Sequence, residues 1–517
     1  MARPVYPIGI QTFSEIVRHG MAYVDKTRFV YDLASRSKYV FLNRPRRFGK
    51  SLLVSTFESY FRGEKELFRG LDLERLERDW EKYPVFLFDF GKTHYESPEQ
   101  LRTGINLLLL DLEAVYGSRE AEVEPGERLE GVIRRAFEKT GHQVVVLIDE
   151  HDSPLLDVID RETFEGIQEV LRNFYSPLKS CDRFLRFVFI TGITKFSQAS
   201  IFSGLNNLRV IGMTPEFNAI CGITEKELRE ALPDGVRSFA EANGLTFEGA
   251  VRKLKENYDG YHFSRESEGI CNPFSLLSAL ADRAANPYWF STGTPTALLK
   301  MLKKYQVPAD RLAGKWLSAS KFDAPAREAS TPSPFLFQSG YLTIKKYDPE
   351  TDLYLLDLPN REVSAGFWDA LIPFYLSPEG SEEAPTVVAK FWRGLASGDP
   401  DAALACIKEF LGTVPYARGT NTEGHCQILL YVIFKMLGKF ADTEVRTARG
   451  RVDLVVYEPR TVYVIEVKLD QSAGAALRQI DEMGYGDRFA QLGRKVVRVG
   501  VSFSSSSRTL EKWLIEE

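Results

Sequence analysis

Cysteine is scarce and scattered. The five thiols, Cys181, Cys221, Cys271, Cys406 and Cys426, include no CxxC pair. That argues against a disulfide scaffold and a zinc knuckle, and it reads as a reduced, cytosolic inventory. Also missing is any apolar stretch of about 18 residues, so no membrane span is expected. The longest apolar runs, such as Val144 to Ile148, have the length of a strand. The opening MARPVYPIGIQTFSE has no apolar core behind a basic segment, so no signal peptide is expected. The expected location is the cytoplasm. Positive charge is not in excess either: 66 Lys and Arg face 71 Asp and Glu, a formal charge of −5. This excludes a chain that is basic throughout, but not a local basic groove for nucleic acid. No convincing internal repeat or low-complexity tract is present.

What remains is an ordinary globular composition. The 517 residues are 44% hydrophobic and 26% charged, enough for three or four domains with real cores. In the first 215 residues, apolar runs at Tyr39–Leu42, Val85–Phe88, Val144–Ile148 and Phe187–Ile190 alternate with helix-length segments. Uniformly apolar strands separated by helices predict a parallel sheet covered on both faces. Residues 215 to about 285 read as mostly helical, and 286–376 mixes helix with a hairpin of YLTIKKY (341–347) and LYLLDL (353–358). SPEGSEEAP, residues 377–385, reads as a linker. A last unit spans 386–517 and is mildly basic, with 18 Lys and Arg against 16 Asp and Glu.

Two constellations carry chemistry. In the first, strand YVFLN runs into RPRRFGKS (44–51) and then an apolar-periodic helix, the context of a phosphate-binding loop. Arg47, Phe48, Gly49, Lys50 and Ser51 are the contact candidates. Gly49 allows close backbone approach, Lys50 reaches the β- and γ-phosphates, Ser51 can ligate magnesium, and the helix start offers N–H groups to the anion. The usual first glycine is replaced by Arg44. VVVLIDEHD places Asp149 and Glu150 after a second strand, where Asp149 holds magnesium and Glu150 orients the attacking water. FVFITGITKFS offers Thr191 or Thr194 as a sensor of the γ-phosphate. No arginine finger is identifiable; Arg46 and Arg47 could serve phosphate, DNA or solvent.

The second constellation lies in the last unit. Asp453 sits in RVDLVV, and Glu466 and Lys468 stand at i and i+2 in VYVIEVKL. Alternate strand residues share a face, so Glu466 and Lys468 point into one site. The spacing to Asp453 allows a hairpin that brings both carboxylates to one magnesium ion, with the lysine acting on water. Glu423 on the preceding helix and Gln479 on the following one strengthen the pattern. The flanks of Glu466 are apolar, which predicts a central strand, where unpaired charge is costly without a function. Tyr258, Tyr261 and His262 in YDGYHF read as a structural turn, and His425 as a surface histidine. Asp25 and Lys26 in YVDKT could border the nucleotide or form a cap or ion pair.

The chain resembles the bacterial and archaeal proteins that fuse an AAA-ATPase-like domain to a C-terminal PD-(D/E)xK nuclease domain. The resemblance rests on PIGIQTF, YVDKT, RPRRFGKS, LIDEHDSPL, TGITKFS, YDGYHF, NPFSLL, YWFSTGTP, FQSGYLTI, PNREV, GRVDLVV, YVIEVKLD and AALRQI. It implies an α/β fold class with a P-loop NTPase parallel sheet core at 1–215. A helical lid and winged-helix-like region would occupy 216–376, and a restriction-endonuclease-like PD-(D/E)xK domain 386–517. It makes Arg44 a family trait and His151 a departure from a more usual tyrosine. It implies Asp453, Glu466 and Lys468 as the nuclease core, with Glu423 and Gln479 as helpers. ATP and Mg²⁺, with Mn²⁺ as an alternative, are the expected cofactors. Nucleic acid is the expected partner, DNA ahead of RNA, with homo-oligomerisation left open. The rival expectations are a non-cleaving NTP-dependent switch or DNA scaffold, and a toxin-like RNase.

Overall fold

VVVLID is apolar up to its last residue, and as β3 (Val144–Asp149) it is buried at every position. The same composition makes β1 (Tyr39–Asn43) and β4 (Leu185–Gly192) interior strands. β2 (Val85–Asp89) is half-covered at an edge, and β5 (Arg209–Val210) closes the other edge. The order is β2-β3-β4-β1-β5, with all neighbours parallel. The predicted parallel sheet is therefore present. Parallel neighbours need long crossovers, and these contain the helices Lys50–Phe61, Pro98–Tyr116, Pro125–Thr140 and Phe164–Tyr175. The carboxyl ends of β1, β3 and β4 lie side by side, the place where open α/β sheets bind ligands.

These coordinates are a computed structural model that describes residues 4–159, 161–195, 207–292, 296–305, 307–325, 329–413, 423–439, 442–448, 451–482 and 494–517. The chain divides into two compact units. One contains residues 1–289 and 315–360, the other 290–314 and 361–517. Beyond the parallel sheet, the first unit has a helical core in which Leu228, Val236, Phe239, Val251, Leu254 and Leu276 pack together. The short strands β6 (Ile223–Thr224) and β7 (Ile270–Cys271) pair beside it. β8 (Lys315–Leu317), β9 (Thr343–Asp348) and β10 (Leu353–Asp357) form a three-stranded antiparallel sheet ordered β8-β10-β9. The expected 341–358 hairpin is its β9–β10 pair.

The second unit is built on β11 (Asp442–Ala448), β12 (Arg451–Tyr457), β13 (Thr461–Leu469), β14 (Lys495–Ser504) and β15 (Thr509–Glu516), in sequence order. Only the β13–β14 pair is parallel. The helix Ala473–Glu482 bridges it and sets Leu477 and Ile480 on Val455, Val462 and Val464. The Tyr463 hydroxyl donates to the Leu395 carbonyl at 2.8 Å, which ties β13 to the helix Pro378–Ala396.

Two boundary expectations are corrected here. Residues 378–385 are the first turns of that helix and not a linker; the Ser377 hydroxyl caps it by accepting from Gly380 N–H at 3.3 Å, and Pro378 opens it. Nor is 216–376 one unit, because 290–314 and 361–376 cluster with the C-terminal sheet. Among the described residues, no helix is long and apolar enough to cross a membrane.

Candidate functional site

The loop after β1 is fixed by its own unusual residue. Arg44 is almost fully buried, and its guanidinium donates to the carbonyls of Asn43, Gly212 and Phe217 at 3.0, 2.7 and 2.9 Å. It also lies 4.0 Å from the centre of the Phe263 ring. Burial pushes its pKa down to about 10, which still leaves a cation at neutral pH. A glycine at this position could not fill that role, so Arg44 is a tether for the loop.

Left-handed backbone at Arg47 (φ 67°) and Gly49 (φ 90°) then turns the chain into the helix Lys50–Phe61. Lys50 is buried, with its ammonium on the carbonyls of Arg44 and Pro45 at 3.0 Å each. The Arg47 guanidinium rests 4.7 Å from the Phe274 ring centre. Phe48 packs edge-on against Tyr261, 4.8 Å between centroids. The YDGYHF turn is thus a support for the loop. An apolar cleft opens beside Gly49 and Leu53, lined by Tyr23, Val24, Lys26, Phe48, Ile220 and Cys221 among others. Lys26 pairs with Glu227 at 2.5 Å, whereas Asp25 accepts from Thr27 and Asp72 N–H, both at 2.8 Å, and is a cap.

Across β4, Asp149 ends β3 and accepts from the Thr191 hydroxyl and from Glu150 N–H. Thr191 lies in β4 itself, because the strand runs two residues past Ile190, to Gly192. Glu150 has φ 49°, and its carboxylate lies over Gly91, where a methyl group would collide with it. Burial raises its pKa; Lys50 and Arg46 oppose that shift, while Asp149 and Asp152 add to it. Of the expected residues, Lys50, Asp149, Glu150 and Thr191 stand at the adjoining ends of β1, β3 and β4, and Gly49 and Ser51 belong to the helix start beside them, whereas the Arg47 and Phe48 side chains are turned to Phe274 and Tyr261. Ser51 is half-buried in the first turn of its helix.

Sequence reasoning missed three residues here. Asp152 is fully buried and accepts from Ile193 N–H at 3.0 Å, and from Thr194 N–H and hydroxyl at 2.6 and 2.7 Å. Thr194 is thereby committed to Asp152. Gly91 makes room for Glu150, and Asp89 lies beside Asp149 in register. The DEHD spacing could have flagged Asp152; nothing in the sequence points to Gly91. His151 is buried with its ring edge-on to Phe41, 5.3 Å between centroids.

In the second unit, β12 and β13 set Asp453 directly opposite Glu466. The turn falls at 458–460, as the spacing predicts, and β13 is the middle strand of the five. Asp453, Glu466 and Lys468 are 6%, 1% and 8% exposed, so none is a surface charge. The Lys468 ammonium lies 2.9 Å from Glu466 Oε1 and donates to Gln479 Oε1 on the helix Ala473–Glu482. Carboxylates directly opposite on a sheet repel, and the Lys468 ammonium lies beside one of the two. Paired buried carboxylate oxygens are the donor type that a hard divalent cation takes. Among the described residues, no group of three or more His, Cys, Asp or Glu is assembled for a metal. Glu423 begins the helix Glu423–Met436, but its side chain and that of His425 lie outside the described residues.

Comparison with known proteins matches the two segments of chain that carry these residues. Residues 7–202 match the model of a family described as a predicted AAA-ATPase, and residues 421–513 match the PD-(D/E)XK nuclease superfamily. An "Uncharacterized protein in vnfD 5'region" from Azotobacter chroococcum mcd 1 is 34% identical over 530 residues, spanning 100% of this chain and 99% of the relative. The chain belongs to the family that fuses these two domains. In its AAA-ATPase-like domain, RPRRFGKS and LIDEHD hold the carboxyl ends of β1 and β3. In its PD-(D/E)XK domain, Asp453, Glu466 and Lys468 occupy the β12–β13 pair. Domains of these two kinds generally use a nucleotide and a divalent metal.

Proposed function

We propose that the protein binds and hydrolyses ATP, and that its nucleotide state governs a magnesium-dependent nuclease that cuts phosphodiesters, with DNA as the first substrate to test. The observation that carries this reading is the face-to-face Asp453 and Glu466 with Lys468 at 2.9 Å, in a chain that also carries a P-loop with its acidic partner strand. The scarcity and spacing of cysteines support a cytoplasmic setting.

For ATP, Lys50 exchanges its two loop carbonyls for the phosphates, and the apolar cleft beside Gly49 takes the base. Ser51 and Asp149 would hold magnesium, which neutralises phosphate charge when bound. Glu150 orients water toward the γ-phosphorus. As the water oxygen bonds to that phosphorus, its bond to the β,γ-bridging oxygen breaks and the electron pair leaves with ADP. The water proton passes to Glu150 and then to the released phosphate.

For the nuclease, Asp453 and Glu466 would hold the divalent ion, which supplies Lewis acidity at the scissile phosphate. Lys468, steadied by Gln479, orients the attacking water. The water oxygen bonds to phosphorus while one bridging P–O bond breaks, its electron pair leaves with the ester oxygen, and the proton that the water loses is taken up by that departing oxygen.

The test is incubation of the whole protein with plasmid, linear DNA and RNA, in Mg²⁺ or Mn²⁺, with and without ATP. The expected result is metal-dependent DNA cleavage whose rate changes with ATP. Cleavage of RNA alone transfers the reading to an RNase. No cleavage of any substrate supports a non-cleaving switch or scaffold.

A further inference from the structure

RPRRFGKS carries four cations, and the structure gives three of them distinct duties. Arg44 is buried on backbone carbonyls, Arg47 lies on the Phe274 ring, and Lys50 sits under the loop on the carbonyls of Arg44 and Pro45. Arg46 differs. Its main chain is held, since its carbonyl accepts from the Trp289 indole N–H at 3.3 Å, while its side chain is exposed. Trp289 is in turn fixed edge-on against Tyr341, 5.3 Å between centroids. Pro45, the residue before, abuts Gly340 so closely that a methyl group there would lie 2.7 Å from it. The result is a main chain held at Pro45 and Arg46 with the Arg46 guanidinium exposed.

We propose that Arg46 is a catalytic residue of the ATPase site, supplied by the P-loop itself, that contacts the γ-phosphate and stabilises the charge spreading over its oxygens during hydrolysis. The inference rests on the nucleotide reading above. Three features support it. Arg46 is three residues upstream of Gly49, on the loop whose backbone would face the phosphates. Its charge opposes the burial that raises the pKa of the Glu150 carboxyl and of the Tyr341 hydroxyl. An exposed guanidinium keeps its donors available for a phosphate, to which it is matched as a fork. An arginine provided from another chain element or partner does this work in other phosphoryl-transfer sites; here the chain places one within the loop.

The experiment compares the whole wild-type protein with Arg46→Ala, Arg46→Lys and Lys50→Ala. It measures MgATP and MgADP affinity by calorimetry, ATP turnover and melting temperature. Arg46→Ala should cut kcat at least tenfold and weaken ATP more than ADP, because only ATP has the γ-phosphate. Arg46→Lys should recover part of kcat, and the melting temperature should stay within a degree or two. Wild-type kcat in Arg46→Ala, or equal losses for ATP and ADP, overturns the inference. If kcat falls only together with the melting temperature in both Arg46 variants, the residue is structural and the inference is again overturned. Wild-type protein that binds no ATP, or Lys50→Ala that binds like wild type, overturns the nucleotide reading and this inference with it. Loss of ATP binding in Lys50→Ala beside a normal Arg46→Ala overturns the inference alone.

Discussion

At the scale of the residue, the two sites rely on charges held out of water by specific partners. Lys50 is buried on two carbonyls at 3.0 Å. Lys50→Ala removes the cation that those carbonyls would release to phosphate, and ATP affinity should fall at least tenfold with an unchanged far-UV spectrum; equal affinity in titrations of both proteins contradicts this. Glu150 makes a pH-dependent prediction. Its pKa is raised, chiefly by burial. Only the ionised form accepts a proton, so turnover should fall as pH drops through that raised value, at higher pH than for an ordinary carboxylate. Glu150→Gln should retain ATP binding through Lys50 and Asp149 but lose turnover by about 100-fold or more. Turnover at the wild-type rate in this variant would remove Glu150 from the water-positioning role. Residues of this kind were legible because GKS and DE follow apolar strands. Asp152 and Gly91 were not, because what they do depends on segments 40 or more residues away: Asp152 holds Ile193 and Thr194, and Gly91 borders Glu150.

At the scale of the element, strands were read well and helix boundaries less so. The four apolar runs of the first sheet are all present and parallel, since a strand covered on both faces has no polar alternation to confuse it. The 377–385 segment was misread because its Ser, Pro, Gly and acidic content suits a linker. The same residues also satisfy a helix start, with Ser377 as cap, Pro378 in the first position and Glu379 in the first turn. Packing by Ala384, Val387, Val388 and Phe391 decides for the helix. The nuclease sheet offers a test of the same kind. Gly500 lies in register with Glu466 and meets the Ala473 carbonyl so closely that a methyl group would overlap it. Gly500→Ala should push the helix Ala473–Glu482 off the sheet, displace Gln479 from Lys468 and destabilise the protein by about 1–3 kcal/mol. Thermal or urea denaturation checks the loss, and a stability equal to wild type would show that the helix is not seated as closely as described.

At the scale of the whole molecule, one chain carries an AAA-ATPase-like domain and a PD-(D/E)XK nuclease domain, which fall in two compact units. Both candidate sites were legible as ordered motifs, whereas the way residues 290–314 and 361–376 join the C-terminal unit was not. That division depends on contacts between segments distant in sequence, which composition does not encode. The central claim is that Asp453, Glu466 and Lys468 form the cutting site and that ATP binding does not require their side chains. The most direct measurement is magnesium-dependent nucleic-acid cleavage by wild type, Asp453→Ala, Glu466→Ala and Lys468→Ala, with ATP affinity measured on each as the folding control. The account predicts cleavage by wild type, loss of at least 100-fold in each variant, and ATP affinity unchanged throughout. Undiminished cleavage by Asp453→Ala or Glu466→Ala, or no cleavage by wild type on any nucleic acid, would contradict it.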